Sequence, residues 1–211
     1  AVIAGALDFA SAWRLVALRG DLMEQAYPEG YGLTAIMGLT RPRVEALMQG
    51  HEVYLANLNA ETQFVIAGRD EAMAEVAQLA LRAGASKAQR LAVSVPSHCA
   101  LLAKPAAALA KAFADVTLTR PQRAYLSGST ARVLWDPQRI ADDLAMNMAR
   151  PVHWQEAMVA ADERDARLAI EMPPGGVLTC LTRQAGWRGE TIALERSGLD
   201  VARHLAQRLS D

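Results

Sequence analysis

His98 closes the run Leu91-Ala-Val-Ser-Val-Pro-Ser-His98, in which an apolar strand meets a proline and an alanine-rich stretch follows. At the mouth of a long helix a histidine is suited to act as a catalytic base. It titrates near neutrality, and the positive end of the helix dipole disfavours an added imidazolium charge. The plainer alternative is a buried histidine bonded to backbone. Arg19 is the second candidate, falling among Leu15, Val16, Leu22 and Met23 on an apolar helix stripe with no acid three or four residues away. A buried guanidinium calls for an anion, and its planar fork suits a carboxylate; snorkelling, or an ion pair to another element, is the alternative. Cys99 invites a Cys–His dyad, but neighbouring helical residues point about 100° apart, which argues against it. Asn57, Asn59 and Gln63 share a hairpin, where they either hydrogen-bond a ligand or stabilise the turn.

Periodicity and turn chemistry place the elements that must hold these side chains. Asp8 caps a helix to Met23 with Phe9, Ala12, Val16 and Met23 on one face. A strand from Tyr31 to Leu39, a short helix from Thr40 to Met48, a pair of strands (Val53 to Leu58, Gln63 to Ala67), a helix from Asp70 to Arg82 and a last strand reaching Val95 follow. That order, β-α-β-β-α-β, is the ferredoxin-like arrangement. A long helix then runs from Ser97 towards Phe113, kinked at Pro105. Short strands, helices near Pro137 and after Pro151-Val-His-Trp154, a buried strand Leu168-Ala-Ile-Glu-Met172 and a helix from Val177 to Gln184 complete the chain. Their alternation predicts an α/β layer with a parallel sheet. Pro173-Pro-Gly-Gly176 lacks the lysine and hydroxyl of a phosphate loop and reads as a tight turn.

With 211 residues, 52% of them hydrophobic, the chain can bury one large domain with a smaller insert, and its net charge of −1 offers no footprint for nucleic acid. The longest uncharged stretch, Leu91 to Ala103, is too short and too polar to span a bilayer, and no signal peptide opens the chain. Cytoplasmic location is expected, with Cys99 and Cys180 as reduced thiols. The opening Ala1-Val-Ile-Ala-Gly-Ala-Leu7 looks like the end of a buried helix, which leads us to expect an N-terminal part outside this chain.

Ser94-Val-Pro-Ser-His-Cys99 resembles, without a change, the histidine motif of the malonyl-CoA:acyl-carrier-protein acyltransferases, and the likeness extends from Arg90 to Leu102. Arg14-Leu-Val-Ala-Leu-Arg-Gly20 is similar to that family's arginine helix. Asn57-Leu-Asn-Ala-Glu-Thr-Gln-Phe-Val-Ile-Ala-Gly68 is similar to its hairpin, and Glu171-Met-Pro-Pro-Gly-Gly-Val-Leu-Thr179 to its C-terminal strand and turn. The resemblance implies an α/β-hydrolase-like large domain (1–26 and 93–211, incomplete here) with a ferredoxin-like small domain inserted at 27–92. It also implies a ping-pong acyl-serine reaction without cofactor or metal.

In that reaction His98 would activate a serine and later the carrier thiol, and the main-chain carbonyl of Asn147 would orient it. The family's usual residue at that position is glutamine, and an ordinary polar helix residue is the alternative. Arg19 would bind the malonyl carboxylate, and Asn57, Asn59 and Gln63 would face the cleft. The family's nucleophile sits in a Gly-His-Ser-x-Gly elbow, yet no Gly-x-Ser-x-Gly occurs here. Ser127-Gly-Ser-Thr130 lacks the flanking glycines, so residues 1–211 alone are expected to be inactive. The implied partner is an acyl carrier protein with a phosphopantetheine-type or dephospho-CoA-derived arm, docking on a basic rim of Arg41, Arg43, Lys87 and Arg90. Glu171-Met-Pro-Pro-Gly-Gly176 and Leu126-Ser-Gly-Ser-Thr130 look more like the epsilon subunit of malonate decarboxylase than the fatty-acid-synthesis enzyme. A catalytically silent acyl-carrier or CoA-binding module is the alternative.

Overall fold

The computed structural model describes residues 1–27 and 29–209; Pro28, in the small domain read from sequence, and Ser210 and Asp211, at the end of the large one, lie outside the described residues. Asp8 caps α1 (Phe9–Ala26), its carboxylate accepting the Ser11 N–H at 2.9 Å. Next come β1 (Tyr31–Met37), α2 (Arg41–Met48), β2 (Val53–Ala60), β3 (Gln63–Arg69), α3 (Asp70–Arg82) and β4 (Lys87–Arg90). Their strands form one antiparallel sheet in the order β2-β3-β1-β4, so the split β-α-β order read from the pattern is the order found. One sheet face packs Ile36, Val53, Phe64 and Ile66 against Val44 of α2 and Met73 and Val76 of α3. The other face carries Leu33, Ala56, Val65 and Ala67, and Cys99 seals it. Strand β1 is buried on consecutive residues from Gly32 to Thr34 because both of its faces are covered.

Three expectations change beyond Arg90. The last strand stops at Arg90 instead of Val95, because the Arg90 guanidinium takes the carbonyls of Tyr31, Leu33, Leu91 and Val93 and turns the chain out of the sheet. The long helix does not start at Ser97. Residues 91–99 are irregular, a 3-10 turn spans Ala100–Leu102, and α4 runs over Ala103–Phe113. Pro105 therefore sits in the first turn of α4, where its missing N–H had no partner to lose, and it produces no kink.

The rest comprises β5 (Tyr125–Leu126), β6 (Val133–Leu134), α5 (Pro137–Met146), α6 (Trp154–Asp162), β7 (Leu168–Glu171), α7 (Val177–Gln184), β8 (Glu190–Ala193) and α8 (Leu194–Arg208). Helices α1, α4 and α5 share a core of Leu7, Leu15, Met23, Leu102, Ala106, Leu109, Phe113, Ala145 and Met148. On α1 the buried stripe is Leu15 and Met23; Phe9 and Val16, expected on the inner face, are 71% and 65% exposed. The helix has apolar residues on more than one side, and α4 receives only one of them.

The expected parallel sheet is reduced, among the described residues, to the β7–β8 pair and one bridge between Asn57 and Val152; β5 and β6 pair antiparallel. Strand β7 is only half-buried, with Ile170 exposed, because β8 covers one edge and apolarity alone does not say which faces are packed. Its Glu171 carboxylate accepts the N–H groups of Leu178 and Thr179 and so anchors the first turn of α7. Among the described residues no helix is long and apolar enough to cross a membrane.

Candidate active site

His98 adopts φ 64°, a left-handed conformation rare outside glycine, which stores about 1–3 kcal/mol of strain. Two bonds to the turn after α5 hold it there. Its backbone N–H donates to the Met148 carbonyl at 2.7 Å, and ring Nδ1 lies 2.9 Å from the Asn147 carbonyl. A carbonyl only accepts, so Nδ1 carries the proton and Nε2 keeps the lone pair of a base. The helix-dipole account of a neutral imidazole does not hold, since His98 precedes the helix by a turn. Burial lowers its pKa from the ordinary value, the Asn147 bond opposes that shift, and the charge of Arg19 adds to it.

Cys99, next in the chain, points the other way. Its Sγ donates to the Pro96 carbonyl at 3.2 Å, and burial pushes the thiol up to about 11. A dyad is thereby excluded by a protonated, buried thiol and not by helical geometry, because Cys99 is outside any helix.

Arg19 lines a cavity of about 450 Å³ together with Leu15, Val16, Tyr125, Asp143 and Asn147. Among the described residues it makes no ion pair, and burial lowers its pKa. The fold thus brings Arg19, Asn147 and, through the Asn147 carbonyl, His98 to one place. It does not bring Asn57, Asn59 and Gln63 to the wall of that cavity. Asn59 is buried, and the β2 edge at Ala56 and Leu58 exchanges backbone bonds with Val152, so this hairpin docks the chain that follows Asn147.

The basic rim is largely engaged within the fold. Arg41 pairs with Glu45 at 2.7 Å, Arg43 donates to the Ala83 carbonyl at 2.6 Å, and Arg90 adds Asp70 to its carbonyls. Lys87 stays exposed.

Sequence reasoning does not single out Tyr125 or Asp143, and it takes Ser127 only as a poor match to a nucleophile elbow. Ser127 is fully buried and donates to the Asp143 carboxylate at 2.6 Å, so it is no nucleophile. The signal was there. Asp143 is a charge on the apolar stripe of α5, between Ile140 and Ala145, the anomaly that singled out Arg19. A neutral imidazole held through Nδ1 and a half-buried guanidinium that makes no ion pair among the described residues can together deprotonate an O–H or S–H group and hold a substrate carboxylate.

A family model described as the acyl transferase domain matches residues 1–198. Over 188 residues the chain is 37% identical to the malonyl CoA-acyl carrier protein transacylase of Haemophilus influenzae, which covers 87% of this chain and 60% of that protein. It thus spans about 60% of the length of the curated relatives it matches. An acyl carrier protein S-malonyltransferase from Vibrio cholerae superposes with a TM-score of 0.84 at 38% identity, over 91% of this chain and 64% of its own. A malonyl-transacylase solved in complex with its type II PKS acyl-carrier protein gives 0.86 at 34% identity, over 99% and 68%.

Proposed function

The chain belongs to the acyl transferase domain family, and from that premise we propose that it supplies the base and the carboxylate anchor of a transacylase moving malonyl groups from malonyl-CoA to an acyl carrier protein. The observation that carries this reading is His98 Nδ1 at 2.9 Å from the carbonyl of Asn147, a residue that lines one cavity with Arg19, which makes no ion pair among the described residues. In the first half-reaction a serine Oγ attacks the thioester carbonyl, its proton passes to His98 Nε2, and the departing CoA sulfur takes that proton. In the second, His98 removes the proton of the carrier's pantetheine-type thiol, sulfur attacks the acyl-serine ester, and the proton returns to serine. The serine belongs to a Gly-His-Ser-x-Gly elbow outside residues 1–211. Arg19 binds both oxygens of the free carboxylate with two parallel N–H groups of its guanidinium and so separates malonyl from acetyl groups.

The small domain (27–92) has a cluster of its own around Ile36, Ile66 and Met73, and α1, α4 and α5 of the large domain (1–26 and 93–211) share another, which supports dividing the chain there, with Cys99 bridging the two on the other face of the sheet. Within the family we place the protein with the malonate decarboxylase epsilon subunits, on Leu126-Ser-Gly-Ser-Thr130 and Glu171-Met-Pro-Pro-Gly-Gly176. The first of these builds the buried loop around Ser127, and the second leads into α7.

The test is malonyl transfer by the full-length protein, read by mass spectrometry of two carriers, one with a dephospho-CoA-derived arm and one with phosphopantetheine. Transfer to either carrier is expected, faster to the first. Preference for the second returns the protein to fatty-acid synthesis, and malonyl-CoA binding without transfer favours a silent binding module.

A further inference from the structure

Asp143 is 3% exposed on an otherwise apolar helix face and makes no ion pair among the described residues. Its partners are hydroxyls: Tyr125 donates to Oδ2 at 2.7 Å and Ser127 to Oδ1 at 2.6 Å. The Ser127 oxygen accepts the N–H groups of Ser129 and Thr130 at 3.2 and 3.1 Å, which closes the loop between β5 and β6. Two links run from this knot to Asn147. The Asp143 carbonyl accepts the Asn147 N–H at the end of α5, and the Asn147 side-chain amide reaches Ser129 Oγ at 3.4 Å. The same loop accepts the His153 N–H on the Gly128 carbonyl at 2.8 Å, gripping the chain on the far side of the turn.

We infer that Asp143 is the positioning residue of His98: its carboxylate ties the last turn of α5 to the Tyr125–Thr130 loop and so aims the Asn147 carbonyl at Nδ1. An apolar side chain would fill the same space without desolvating a charge. What the carboxylate adds is direction, two acceptors that let the loop and the helix meet in one arrangement. The inference rests on the transacylase reading for the role of His98, not for the geometry.

The test reads the tautomer first. In protein with ¹⁵N-labelled histidine, wild-type His98 should show a protonated Nδ1 and a bare Nε2, and Asp143→Ala an averaged mixture. Asp143→Asn keeps an acceptor for Ser127 and a donor towards the Tyr125 oxygen, so it should restore the single tautomer. In turnover by the full-length protein, Asp143→Ala should lose about ten- to a hundredfold in kcat, the scale of a misplaced catalytic group. KM for malonyl-CoA should stay within about twofold, and Asp143→Asn should recover most of the loss. An unchanged Nδ1–H tautomer in folded Asp143→Ala overturns the inference, as does a change in KM alone. If that variant fails to fold, Tyr125→Phe with Ser127→Ala removes the same two bonds, and a single tautomer there overturns it equally. Absence of transfer by wild type would remove the transacylase reading while the tautomer still decides the role of Asp143.

Discussion

At the residue scale the base and the cation are coupled. His98→Ala should lower malonyl transfer by roughly two to four orders of magnitude, the range for a lost general base, with far-UV circular dichroism unchanged. Burial first, and then the Arg19 charge, keep the His98 pKa below 6.5, so the acid limb of the transfer profile should lie below that value. The sign for stability follows. The unfolded chain protonates this histidine at about 6.5 and the folded one only at lower pH, so its contribution is full above 6.5 and is lost as pH falls from there towards the folded value. Arg19→Met removes the charge but keeps the bulk, and the His98 titration, followed by NMR, should move upward. Arg19→Ala should cost malonyl transfer about 2–5 kcal/mol, the scale for one partner of a buried charge pair. That is roughly 30- to several-thousand-fold in kcat/KM, with acetyl transfer spared. Equal loss for both substrates with a lower Tm would make Arg19 a structural ion-pair partner instead.

At the scale of elements the decisive contact lies where β4 ends. Arg90 lies over Gly32, where an added Cβ would collide with the guanidinium and with the Val93 carbonyl. Gly32→Ala should therefore destabilise the protein by about 1–3 kcal/mol, as overpacking does, measured by urea unfolding. It should also disturb the 91–97 segment that delivers His98. Val93→Ala, at a side chain already 36% exposed, should stay within about 0.5 kcal/mol of wild type. Losing both variants equally would show that the Arg90 clip is not what holds this crossing.

At the scale of the whole molecule, residues 1–211 should take up no covalent malonyl group from malonyl-CoA, as intact-mass measurement can check. They hold no Gly-x-Ser-x-Gly, Ser127 is buried against Asp143, and the Cys99 thiol is kept protonated. A stable adduct would redirect attention to Cys99. Asn147 came only from the resemblance to a family, but sequence by itself determined the β-α-β-β-α-β order and the α1 cap at Asp8 and singled out His98 and Arg19 as candidates, because periodicity, capping chemistry and misplaced charges are local signals. It could not determine where the strand before His98 stops, since Arg90 ends it by binding carbonyls up to 59 residues away in the chain. Nor could it show why the imidazole is neutral, which comes from burial and from Arg19 on another element, not from a helix end. The Tyr125–Ser127–Asp143 knot was legible only in part: Asp143 stands out as a charge on the apolar stripe of α5, but only packing α5 against the β5–β6 loop makes Tyr125 and Ser127 its partners and turns three polar side chains into one buried anchor.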